Sequence, residues 1–288
     1  MKAKAVCHGA ATIVNAIATG LGAAYGISLQ TSARVELNDA GSFSAAIGGS
    51  PDEDTTLMKL CAKKVLGHFK LEYGADIATE SDIPIAAGLK SSSTAANAVC
   101  LATLAAIRKE HKATLSDRRL IGLAVDAALE ARVTVTGAYD DACASYFGGY
   151  VVTDNARRRI VKKGRMPEDL HVLVYVPAKK SYTAQVDAKK TRLFASEVEA
   201  AWKLAYNGEI YKAMNVNGLL YSAALGYDAG IPLAALEAGA IAAGLSGKGP
   251  AVVALTEKDP ERIKEAWGAF EGRVIEASIN NRKAEVLA

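Results

Sequence analysis

The rhythm of hydrophobic and polar positions changes several times along the chain, and each change marks a different kind of element. Positions 2–6 read as a short strand. Positions 27–37 alternate well enough to predict a second, because alternation puts one face of a strand inside. Between 55 and 69, Leu57, Leu60, Cys61, Val65 and Leu66 recur near helical spacing, which predicts a helix. A strand over 71–79 and helices over 92–108 and 116–131 follow. Residues 136–155, TGAYDDACASYFGGYVVTDN, read as a loop, a helical turn and a strand. Past Asn155 the chain turns basic and rich in turn formers, so the expected division is 1–155 and 156–288. The second part offers a strand at 170–176, two helices within 196–225 broken at Asn207-Gly208, and a helix at 233–242 stopped by Gly244. Strand, helix and strand then follow at 252–255, 260–270 and 274–279. Few strands among several helices suit an α+β class rather than a wound parallel sheet.

Residues 5–33 contain no Asp, Glu, Lys or Arg. His8, Asn15, Gln30 and four glycines interrupt them, and no continuous Leu/Ile/Val core exists, so neither a membrane span nor an export signal is expected. With 288 residues the chain can build one large or two moderate domains, each with a real core. Half the residues are hydrophobic, but much of that is alanine and aromatics are only 6%, which favours close helix packing. A net charge of +3 is too mild to argue for nucleic acid, and Arg157-Arg158-Arg159 and Lys162-Lys163 read as solvated loop faces. Cys7, Cys61, Cys100 and Cys143 are scattered without a C-x-x-C pair. Neither a zinc site nor a disulfide framework is expected, and free thiols fit a reducing cytoplasm.

The chemistry concentrates between Asp82 and Asn97, DIPIAAGLKSSSTAAN. A helix start presents unpaired N–H groups and a positive dipole end, and small residues ahead of it let an anion approach the backbone. Ser91, Ser92 and Ser93 add hydroxyls able to cap the helix, contact phosphate or hold a divalent cation. An ordinary capped helix after a Pro/Gly turn is the plainer alternative. The commoner phosphate motifs fail. Residues 242–249, AAGLSGKG, miss the P-loop pattern at two places, and Tyr25 stands where a dinucleotide fingerprint around Gly20, Gly22 and Gly26 needs its third glycine.

Three stretches in order resemble the three motifs of the GHMP kinases, the galactokinase, homoserine kinase and mevalonate kinase group. They are the Gly/Ala-rich segment 9–27, the run PIAAGLKSSSTAA, and Ser246-Gly247-Lys248-Gly249-Pro250-Ala251 ahead of a strand. The K-S-S-S version, with TGLGAAYGI near the N-terminus, is most similar to the archaeal-type shikimate kinases. The resemblance implies a ribosomal protein S5 domain 2-like N-terminal domain, a ferredoxin-like C-terminal domain, and a cleft between them for ATP. It assigns the phosphate cradle to Ala86, Ala87, Gly88, Leu89, Lys90, Ser91, Ser92, Ser93 and Thr94. The small-molecule acceptor is implied to be shikimate, phosphorylated on its 3-hydroxyl, with Mg2+ as the cation.

Counting back without a gap from Gly148-Gly149 aligns Asp141, not Asp140, with the family's catalytic aspartate. Glu130, eleven positions earlier (141 − 130), has the spacing of the magnesium-binding glutamate, with Ser92 as the second protein ligand. Asp140 is left as an acceptor-hydroxyl contact or a helix cap, and Gly247, Lys248 and Gly249 as a loop near phosphates or substrate. One departure stands out. The family's motif-one lysine falls at Ala10, and no Lys or Arg occurs between Lys4 and Arg34. Lys90 is a candidate replacement. Arg34, Lys179, Lys180 and Arg192 are candidates for the acceptor carboxylate. Competing readings are a homoserine kinase, a non-catalytic sensor on the same fold, and a dinucleotide oxidoreductase. The presence of both Glu130 and Asp141 argues against the sensor. The oligomeric state is left open.

Overall fold

A computed structural model describes every residue except 85–86, 135, 179–187 and 288, and the side chains of 188 and 189. Ala86, Lys179 and Lys180 therefore lie outside the described residues. In chain order the elements are β1 (Lys2–Val14), β2 (Leu21–Asn38), β3 (Phe43–Ile47), α1 (Thr56–His68), β4 (Gly74–Ser81), α2 (Ser91–Ile107), α3 (Asp117–Glu130), α4 (Tyr139–Phe147), β5 (Tyr150–Asp154) and β6 (Arg159–Gly164). They continue with β7 (His171–Pro177), α5 (Ala188–Arg192), α6 (Ala195–Asn207), α7 (Ile210–Leu225), α8 (Gly230–Glu237), β8 (Ala242–Leu245), β9 (Val252–Thr256), α9 (Pro260–Trp267), β10 (Gly272–Ser278) and β11 (Glu285–Leu287).

The uncharged segment is strand almost throughout. β1 and β2 run antiparallel from Lys2↔Glu36 to Val14↔Ala23, and β2 is long enough to hold β5 at one end and β4 at the other. Its composition follows from burial on both faces. Cys7, Ala10 and Ala24 join the core under α1–α4, while Ala11, Ile13, Tyr25 and Ile27 join the core beneath α6 and α7. A strand covered on both sides has no place for a charge. Further along β2 only one face is covered, and buried Ala33, Val35 and Leu37 alternate with exposed Arg34 and Glu36.

Among the described residues the first sheet has seven strands, ordered β11-β1-β2-β4-β3 with β5 and β6 branching from β2. The hairpin β5–β6 runs across the expected division at 155/156, and β11 returns from the far end of the chain to pair with β1. The second sheet, β10-β7-β9-β8, is antiparallel and packs against α7, α8 and α9. Four expectations need correction. The helix expected at 233–242 ends at Glu237, and 242–245 is β8, because four buried small and apolar residues pair with β9 and pack on α7. The basic stretch after Asn155 holds β6, the short β3 and β11 are strands without a visible period, and α5 was not foreseen. No helix among the described residues is long and apolar enough to cross a membrane. All four cysteines are buried and unpaired.

Candidate active site

Three segments far apart in sequence meet at the start of α2. Ser246 Oγ donates to the Gly88 carbonyl at 2.9 Å, and the Gly247 amide donates to Thr12 Oγ1 at 2.8 Å. Asn15 Nδ2 donates to the Gly247 carbonyl at 2.7 Å, and the Ala251 amide to the Ala87 carbonyl at 3.2 Å. Gly88 has φ +81°, and a Cβ there would overlap the Ser246 carbonyl oxygen, so only glycine fits where the two loops touch. The stretches 9–27, 87–94 and 246–251 thus form one contiguous site. Thr12 and Asn15, uncharged polar residues inside an apolar run, carry much of this contact, and their type alone gave no signal.

The hydroxyls of the serine run do not cap the helix. The N-cap position belongs to Lys90, at φ +66°, and it makes no side-chain cap hydrogen bond. Ser91, Ser92 and Ser93 are the first helical residues, and Ser92 is exposed. The helix start is therefore left with its N–H groups available to an anion. Thr94 is turned away. Fully buried, its hydroxyl is shared between the Lys90 carbonyl at 2.9 Å and the His8 carbonyl at 3.3 Å, and it accepts from Ser145 Oγ. Ala87 and Leu89 are also buried and offer the site only backbone. Lys248 stands exposed at the tip of its loop.

α4 begins in the same way, from Ala138 at φ +46° without a side-chain cap, so neither aspartate is a cap. Asp140 faces inward. Asn155 Nδ2 donates to its Oδ1 at 2.7 Å, and the Asn155 Oδ1 accepts from Thr153 Oγ1 and from the Asp140 amide. Gly22 on β2 clears space for this carboxylate, since a Cβ there would overlap Asp140 Oδ2. Asp141 faces α2, with Lys90 Nζ 3.0 Å from its Oδ1. The contact is charge against charge rather than an aligned hydrogen bond. Burial raises the Asp141 pKa to about 7, the neighbouring Asp140 charge adds to the rise, and the Lys90 ammonium opposes it. A carboxylate poised near neutrality is suited to taking a proton.

Glu130 ends α3, where a carboxylate sits at the negative end of the helix dipole and gains from a cation. Lys64 Nζ supplies one at 2.6 Å, and the Glu130 side chain is 54% exposed. The adjoining Leu129 and Val125 pack against Gly137, just ahead of α4, so the end of α3 lies beside the aspartate turn. Among the described residues no three His, Cys, Asp or Glu side chains converge as a metal cage. Arg34 is not brought to this site. It lies twelve positions (34 − 22) along β2 from Gly22, about 40 Å of strand path. Arg192 is exposed at the end of α5.

The comparisons agree from end to end. The GHMP kinases N terminal domain profile matches residues 56–149, and the GHMP kinases C terminal profile matches 233–272. A protein named shikimate kinase from Methanothermobacter thermautotrophicus is 46% identical over 281 residues, 97% of this chain and 96% of its own length. Another of that name from Methanosarcina mazei is 48% identical over 288 residues, covering 99% and 96%. A homoserine kinase structure from Cytophaga hutchinsonii shares the fold at TM-score 0.75 and 17% identity, covering 99% of this chain and 97% of that one. With three motifs folded into one site and relatives nearly half identical over almost their whole length, this chain belongs to the GHMP kinases.

Proposed function

We propose that this protein transfers the γ-phosphoryl group of ATP to the 3-hydroxyl of shikimate, giving shikimate 3-phosphate and ADP. The observation that carries the reading is a largely enclosed carboxylate, Asp141, 13% exposed and paired with Lys90 at the uncapped start of a serine-bearing helix. The choice of acceptor is supported by relatives named shikimate kinase that match almost the entire chain. Phosphoryl transfer asks mainly for positioning and charge neutralisation. The α2 N-terminus binds the phosphates through backbone N–H groups, and Lys248 stands exposed on the adjoining 246–249 loop. Oδ1 of Asp141 is taken up by Lys90, leaving Oδ2 to orient the acceptor hydroxyl and receive its proton. Asp140 lies behind it, keeping α4 in place through Asn155.

The residues present fit magnesium arriving with the nucleotide, because that ion keeps waters and phosphate oxygens and needs few protein ligands. Ser92 and Glu130, both reaching solvent on adjoining elements, are the residues that would hold it. When bound, it neutralises phosphate charge. The deciding experiment is ADP release measured with shikimate, homoserine, mevalonate and galactose in turn. Turnover with shikimate alone is the expected outcome, and comparable turnover with homoserine would move the assignment to that acceptor.

A further inference from the structure

Lys90 breaks two rules at once. A lysine is unusual in the left-handed region, and a lysine ammonium is seldom buried, yet Lys90 has φ +66° and a side chain only 7% exposed. Both oddities end at the same contact, the 3.0 Å approach of Nζ to Asp141 Oδ1. Gly247 backs onto the ammonium from the opposite loop, with Nζ 2.8 Å from where a side chain would start. The cation is thus enclosed by the phosphate loop, the 246–249 loop and the carboxylate. β1, which packs against α2, has Ala10 buried and no Lys or Arg beyond Lys4.

We propose that Lys90 is the positioning residue of the base: its backbone closes the phosphate loop, and its ammonium fixes Asp141 in place for the acceptor hydroxyl. The left-handed backbone of Lys90 turns the chain into α2, and its side chain runs to Asp141. One residue then ties phosphate binding to the carboxylate. The inference rests on the kinase reading above, and its test separates the two.

The variants are Lys90→Gly, whose φ suits glycine, and Lys90→Met, which keeps length without charge. Each is assayed for initial rates with ATP and shikimate across pH, with and without added butylammonium. Melting is followed by circular dichroism, and the Asp141 carboxyl is titrated by carbon-13 NMR. Expected is a fall in kcat on the order of 10²-fold with little change in either KM. The acid limb of the rate profile should move at least about one pH unit upward. Butylammonium should partly restore Lys90→Gly, a rescue that a purely structural lysine would not show. Unchanged kcat, or a loss confined to the KM for ATP with the acid limb unmoved, overturns the proposal. If the wild-type protein does not turn over shikimate, the acceptor reading fails. The carboxyl titration then decides Lys90 alone, and an Asp141 titration indifferent to Lys90→Gly overturns its role.

Discussion

Asp140 and Asp141 differ by one position and by about 100° around α4, and that angle separates their roles. Asp141→Asn keeps the size and can still hydrogen-bond a hydroxyl, but it cannot take a proton. It should lower kcat by roughly 10²–10⁴-fold while acceptor binding persists, as steady-state kinetics and equilibrium binding would show. The pH dependence has a definite sign. As the proposed base Asp141 must be ionised, so kcat/KM should fall as pH drops below about 7, and that limb should vanish in Asp141→Asn. Asp140 belongs to the fold. Asn155→Ala removes the donor to its buried carboxylate and should cost about 2–3 kcal/mol in chemical denaturation. A variant as stable as the parent would show that water replaces the amide.

At the scale of elements, α2 and α4 pack side by side, and both start without a side-chain cap. α2 leaves its first N–H groups open by lacking a side-chain cap, and Gly88 lets the 246–249 loop press against the preceding turn. Gly88→Ala would force that loop away and disfavour φ +81°. ATP binding measured by calorimetry should be lost while the helical signal largely remains. The end of α3 offers the complementary test. Glu130→Gln breaks an exposed pair with Lys64, worth at most about 1 kcal/mol, so melting should barely move. Turnover at limiting magnesium should drop and recover in part at high magnesium or with manganese. Equal rates at limiting magnesium would leave Glu130 as no more than a partner of Lys64.

For the whole molecule, the two sheets share one hydrophobic core, and specific polar contacts fix their alignment. The Tyr221 hydroxyl on α7 donates to the Asn15 carbonyl and accepts from the Ala18 amide, while Asn217 accepts from the Asn15 amide. Tyr221→Phe should lower stability by roughly 1–2 kcal/mol. It should also reduce kcat/KM, because the turn it steadies adjoins Gly247; an unchanged kcat/KM would mean that the turn holds without it. Periodicity along the chain determined most of the regular elements. α1 and α3 were legible because each buries one apolar face, α2 from its run of small residues after the serines, and the break between α6 and α7 from Asn207-Gly208. The three motifs were legible too, because a backbone phosphate cradle accepts few residue types at its bends. β1 and β2 were harder to read in full. Burial on both faces erases alternation, and whether such a run is strand, helix or membrane segment depends on what packs against it. β8 was missed for the same reason: AAGL has no period until β9 and α7 enclose it. The electrostatics of the site lay furthest from the sequence. Composition showed a lysine missing from the first motif and another present in the second. Only the tertiary structure set Lys90 Nζ against Asp141, because that contact depends on how α2 and α4 pack side by side on one face of the first sheet.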